Sequence, residues 1–115
     1  ARRGGRIGVD LETVSKRHPG FAAEWFTEGE QNRFGSDDRL MTTAWACKES
    51  VLKVLGVGMA IHPRDIEVLN LKQGGAEVFL HNEAGRIFAD LGGGNLEFEI
   101  VSTEERVLVM ARLAA

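Results

Sequence analysis

At 115 residues with 43% apolar side chains, the chain supports one modest hydrophobic core, so a single domain spanning 1–115 is expected. The formal charge of −3 argues against nucleic acid as the principal partner, although Arg2, Arg3 and Arg6 make the start locally basic. One cysteine, Cys47, excludes an internal disulfide, and no stretch approaches the ~18 consecutive apolar residues of a membrane span. No signal-peptide pattern is visible, so a soluble cytoplasmic protein is expected. The absence of an initiating Met is compatible with trimming or with excision from a longer polypeptide.

In chain order, "RIGVDL" (6–11) alternates around Ile7, Val9 and Leu11 and predicts a short strand, with Gly8 allowing close backbone approach and acids, Asp10 and Glu12, at its end. After the turn signal "HPG", "FAAEWF" predicts a short helix. "TEGE" is a capping box, Thr27 at the N-cap and Glu30 at N3, opening a second short helix that Gly35 closes. The longest helical signal runs from Asp37 or Asp38 to Leu55, with Gly56 as its stop. Leu40, Ala44, Cys47, Val51 and Leu55 form its expected core stripe, in which Cys47 is a buried small residue. "DIEVLNL" and "AEVFLH" predict a hairpin through "KQGG", "NEAGRIFADL" a helix, and "LEFEIVS" and "RVLVMARL" a closing pair of strands. The sum is an α+β fold with a largely antiparallel sheet.

Chemistry concentrates in "WACKESVLKVLGVG" (45–58). Glu49 and Lys53 are four apart on one helix face, and an exposed ion pair contributing roughly 0.3–0.5 kcal/mol is the plain explanation. A second acidic group changes the balance. The pleat sends Asp10 and Glu12 to one side of the first strand, and if that side faces the long helix, three carboxylates converge beside one ammonium. Such a cluster repels itself without a cation. Mg²⁺ takes hard oxygen ligands and completes its shell with waters and phosphates, and Lys53 then contacts phosphate, which favours a diphosphate-containing substrate.

"GVDLE" (8–12), "FTEGE" (26–30), "WACKESVLKVLGVG" and "PRDIEV" (63–68), in this order, resemble the 4′-phosphopantetheinyl transferases. The length is similar to that of the short holo-acyl-carrier-protein synthases. The Asp-x-Glu of Asp10 and Glu12 and the "W..KES" of Trp45 to Ser50 are similar to the surfactin-type enzymes. The resemblance implies a mostly antiparallel sheet packed on a long central helix. It also implies transfer of the phosphopantetheine arm of coenzyme A to a serine of an apo carrier protein, with release of adenosine 3′,5′-bisphosphate.

By matching position the resemblance assigns Asp10, Glu12 and Glu49 to Mg²⁺, and Lys53 to the coenzyme A phosphates with a role in protonating the leaving phosphate. The serine proton then goes to Glu49 or to a metal-held water. Lys48 belongs to the same motif and is expected either at phosphate or as a surface lysine whose stem covers apolar neighbours. Gly56, Gly58, His62, Arg64 and Ser102 are the further coenzyme A candidates, against plain capping or solvated-loop roles. The histidine that short-class members carry near the C-terminal strand is absent, with Ser102 and Thr103 standing there. Lys16 and Arg17 lie in the region similar to the carrier-docking helix, and Trp25 and Trp45 are expected in the core or a subunit interface. A homo-oligomer is implied, trimer before dimer. The rival is a non-catalytic oligomeric module of the same fold that uses Glu49 and Lys53 as a structural ion pair.

Overall fold

A computed structural model describes residues 6–16, 18–56 and 60–114. Strand β1 (Arg6–Thr13) leads into three helices, α1 (Pro19–Trp25), α2 (Glu28–Phe34) and α3 (Asp38–Leu55). A 3-10 turn, Pro63–Asp65, then opens the hairpin β2 (Ile66–Lys72) and β3 (Gly75–Leu80), followed by α4 (Asn82–Asp90), β4 (Asn95–Ser102) and β5 (Arg106–Ala114). The strands form an antiparallel sheet in the order β1-β5-β4 and the separate hairpin β2-β3.

Local chemistry sets the helix limits. Thr27 Oγ1 accepts from Glu30 N at 3.0 Å while Glu30 Oε1 accepts from Thr27 N at 2.8 Å, so the capping box is complete. Asp37 caps α3 by accepting from Arg39 N and Leu40 N at 2.9 and 3.0 Å. Gly56 ends that helix in the left-handed region, φ 74°, as its C-cap.

Helix α3 is the spine. It packs on β1 and β5 along one side and on β2 along another, so burial wraps around it instead of following one stripe. Ala44, Cys47, Val51 and Leu55 are in the core as expected, and burial pushes the Cys47 thiol up to about 12. Leu40 departs from the expected stripe. It lies in the first turn, where burial falls to Met41 and Ala44 instead, and stays 36% exposed.

Strand β1 turns its two faces to opposite uses. Gly8 and Asp10 are buried toward α3, while Ile7, Val9 and Leu11 are 56%, 43% and 56% exposed on the outer face. In register beside them stand Leu108 and Met110 of β5 and Val101 of β4. The close approach to α3 requires glycine: a Cβ at Gly8 would lie 2.1 Å from Ser50 O and 2.9 Å from Lys53 Cβ. Arg6 Nε reinforces the contact by donating to Val54 O at 2.7 Å.

Substituting Gly8→Ala is therefore expected to push β1 off α3 and to cost about 1–3 kcal/mol, the usual penalty of overpacking. Urea unfolding measures it; a midpoint equal to that of the parent protein contradicts the contact.

Candidate active site

The β1–α3 contact brings one strand position level with one helix turn. Lys53 Nζ donates to Val9 O at 2.7 Å and reaches Asp10 Oδ1 at 3.1 Å, so the lysine in the last turn of α3 is tied to the strand. Its side chain remains half exposed, whereas that of Asp10 is 10% exposed. Glu49, one turn earlier, is half-buried beside them. Burial raises its pKa, the Asp10 carboxylate raises it further, and the Lys53 ammonium opposes both.

Asp10 Oδ2 is buried and has no hydrogen-bond partner among the described residues. Leaving such an oxygen unsatisfied costs about 1–3 kcal/mol, and a hard divalent cation shared with Glu49 relieves both that cost and the repulsion between the two carboxylates. The donor set fits Mg²⁺, with waters and substrate oxygens completing the shell. Among the described residues no group of three His, Cys, Asp or Glu side chains is gathered for a metal, so the expected convergence of three carboxylates reduces to two. Glu12 is the next inward position of β1, about 6.7 Å further along the strand.

Glu49 also lines a cavity of about 510 Å³, walled by Trp25, Trp45, Leu52, Ile61 and Pro63, with Glu24 and His62 as further polar groups in its lining. The His62 ring stacks on Trp25 with centroids 5.3 Å apart, and its Nδ1 accepts from Arg64 N at 3.1 Å. Trp25 and Trp45 are thus partly buried, as expected, but their cluster also shapes a hollow beside the acidic pair.

The other candidates fall elsewhere. Lys48, expected at phosphate or on the surface, is fully buried, and its Nζ is taken by Glu30 Oε1 at 2.7 Å, Ile66 O at 2.7 Å and Pro63 O at 2.9 Å. It cannot meet a ligand there. Burial lowers its pKa, with the Glu30 carboxylate opposing the shift.

Gly56 is accounted for as the C-cap, and Gly58 lies outside the described residues. Arg64 is exposed on the 3-10 turn. Ser102, at the end of β4, accepts a hydrogen bond from Arg39 Nη1 near the start of α3. Fourteen residues of helix, about 21 Å, separate Arg39 from Lys53, so the chain does not bring Ser102 to Lys53. Lys16 is exposed just before α1, Arg17 lies outside the described residues, and α1 itself carries no basic side chain.

Glu30 was legible only as a capping residue. Its second role, partner to a buried lysine, had a faint signal in Lys48 standing between Cys47 and Ser50 on an otherwise buried helix. Nothing in the spacing named the partner.

A 4′-phosphopantetheinyl transferase superfamily model matches residues 6–108. The chain belongs to that superfamily. Among its relatives, the holo-[acyl-carrier-protein] synthase of Moorella thermoacetica is 34% identical over 102 residues, 77% of each chain. The fold is shared with the holo-[acyl-carrier-protein] synthase of Neisseria meningitidis, at a TM-score of 0.79 and 20% identity over 96% of this chain and 98% of that one. It is also shared with a synthase from Chronobacterium ammoniagenes solved as a coenzyme A complex, at a TM-score of 0.66 and 23% identity over 97% and 98% of the two chains. The α+β architecture expected for this family, an antiparallel sheet on a long central helix, is the one observed.

The carboxylate pair has a measurable signature in the metal-free transferase. A glutamate whose folded-state pKa is raised stabilises the fold below the ordinary glutamate pKa and loses that contribution as pH rises through the folded value. Near neutral pH the Glu49 charge is therefore a liability without a cation. Glu49→Gln is expected to raise the thermal midpoint in EDTA near neutral pH, with the gap closing toward about pH 4. No gain over the parent protein at neutral pH would contradict the pairing with Asp10.

Proposed function

We propose that this transferase moves the 4′-phosphopantetheine arm from coenzyme A to a serine of an apo acyl or peptidyl carrier protein, in the presence of Mg²⁺, releasing adenosine 3′,5′-bisphosphate. The observation that carries the site assignment is the orphaned Oδ2 of Asp10 set beside Glu49 and Lys53. The coenzyme A complex of the Chronobacterium ammoniagenes synthase and the name of the Moorella thermoacetica relative support the two substrates.

Asp10 and Glu49 would hold the metal. Mg²⁺ bound there supplies charge neutralisation for the diphosphate and for the oxygens of the transferring group. Lys53, already half exposed and held by β1, contacts phosphate as a point charge and donates to the oxygen of the leaving group. The serine oxygen forms a bond to the β-phosphorus, and the bond from that phosphorus to the bridging oxygen breaks. Glu49 stands at the cavity edge, where an incoming hydroxyl meets a carboxylate able to take its proton. The cavity between Trp25, Trp45 and Ile61 receives the pantetheine arm, its methyl and methylene groups against the apolar wall and its amides within reach of the polar groups of the lining. Lys16 steers acidic carrier proteins toward α1.

The test is incubation with apo carrier protein, coenzyme A and Mg²⁺, with mass spectrometry reading the added arm. Modification that stops in EDTA and returns with Mg²⁺ is expected. Lys53→Ala is expected to lower kcat/KM for coenzyme A by about 10- to 100-fold, the loss of one charge-assisted contact of about 1.5–3 kcal/mol. No modification of several carrier types points to the non-catalytic module, and unchanged kinetics of Lys53→Ala remove it from the phosphates.

Self-association belongs to the same reading, a trimer before a dimer. Ile7, Val9, Leu11 and Val101 form an exposed apolar sheet face of the kind that mates with another chain. Sedimentation at micromolar concentration is expected to give a mass several times the 12.6 kDa of one chain, and Val101→Glu to shift it toward the monomer. A monomeric parent protein rejects the assembly.

A further inference from the structure

Two of the four family-like stretches build the face of Asp10, Glu49 and Lys53. The others, "FTEGE" and "PRDIEV", meet the long helix at Lys48. Its ammonium has three protons, and three oxygens receive them: Glu30 Oε1, Pro63 O and Ile66 O. Glu30 is saturated in turn. Besides Lys48 it accepts from Thr27 N at 2.8 Å and from Val68 N at 2.6 Å. Both side chains are fully buried, and the ammonium sits 5.1 Å from the Phe26 ring centroid.

A buried ion pair is weak evidence for stability, because two well-packed apolar side chains of similar volume commonly do as well. Apolar side chains could not hold two carbonyls at a fixed place. Pro63 O and Ile66 O belong to the 3-10 turn and the start of β2, where the chain returns from the end of α3. Ile61, His62 and Pro63 of the same connection line the cavity together with Trp45, Glu49 and Leu52 of α3. Lys48 is the neighbour of Glu49. The residue that anchors the returning connection therefore sits beside Glu49, which lines the same cavity.

We propose that Glu30 and Lys48 form a positioning pair that fixes the width of the cavity beside Glu49, and through it the binding of the coenzyme A arm, without touching either substrate. This rests on the coenzyme A reading above. A shift of about 1 Å caused by a substitution remote from the reacting atoms can cost up to about 100-fold in kcat/KM.

The experiment compares the parent protein with Lys48→Met, with the double variant Glu30→Gln and Lys48→Met, and with Lys48→Arg. Thermal unfolding, calorimetric titration with coenzyme A, and steady-state kinetics are read for each. Lys48→Met alone leaves a buried carboxylate unpaired and is expected to lose stability. The double variant removes both buried charges, and although the amide oxygen introduced by Glu30→Gln can accept from Val68 N, its amide nitrogen cannot accept from Thr27 N and two carbonyls lose their donor, so its midpoint is expected to recover in part relative to Lys48→Met. Its KM and Kd for coenzyme A are nevertheless expected to stay raised roughly tenfold or more, with kcat little changed. Lys48→Arg keeps the charge on a longer planar group that cannot meet the same three oxygens, and it is expected to fold with the same rise in KM.

Parent-like KM and Kd in either folded variant overturn the proposal, as does a loss confined to kcat. Failure of both to fold overturns it too, since the pair then serves the fold alone. If the parent protein itself binds no coenzyme A, the functional reading fails first. If it binds and the variants match it, only the positioning role fails.

Discussion

Everything at the site depends on how closely β1 can lie on α3. A strand and a helix ordinarily keep a side chain's thickness between them, and here the missing Cβ of Gly8 removes it over one residue. The strand then sits against the backbone of Ser50 and Val54, and the next inward residue, Asp10, arrives beside the turn that carries Glu49 and Lys53. The electrostatics follow from that approach. Two carboxylates lie side by side, one of their oxygens lacks a hydrogen-bond partner among the described residues, and the Lys53 ammonium beside them is already tied to the strand.

The two lysines of the central motif show how burial divides roles among similar side chains. Lys53 lies in the last turn of α3 with its side chain half exposed, so its charge stays accessible while also pinning β1. Lys48, five residues earlier, points into the angle between α2, the 3-10 turn and β2, where every proton finds an oxygen. Glu67 extends the same scaffold outward: Arg33 Nη2 donates to it at 2.8 Å, and this bond together with His81 at 2.8 Å holds its carboxyl below the usual range.

Much of this was legible in the chain because local rules dominated locally. The capping box at Thr27, the helix start at Asp37 or Asp38, the Gly56 stop and the "KQGG" turn each carry their own geometry, and the elements fall within a residue or two of expectation. Gly8 announced a close approach, and the strand period put Asp10 and Glu12 on one and the same side of β1. What period alone could not show is which face of β1 is inside. Ile7, Val9 and Leu11 look like a core stripe, yet the inner face is the one bearing Gly8 and Asp10. Leu40 failed for a related reason, since a helix surrounded on several sides does not concentrate its burial on one stripe. The fate of Lys48 was hidden because its partners, Glu30, Pro63 and Ile66, come from separate elements. Pairings across such distances are decided by the assembled tertiary structure and leave no mark in spacing.

The alternation in β1 also makes this stretch intolerant of changes in length. Since side chains switch sides at every step, one residue inserted between Arg6 and Asp10, with the downstream pairing to β5 shifted by one, would turn Ile7, Val9 or their replacements toward the helix and rotate the acid out into solvent. Composition would barely change, yet the acidic corner and the apolar exterior would trade places in a single stroke. Loops such as the one joining α4 to β4 can lengthen or shorten over evolutionary time, whereas these eight residues of strand must be inherited as a fixed reading frame of the backbone.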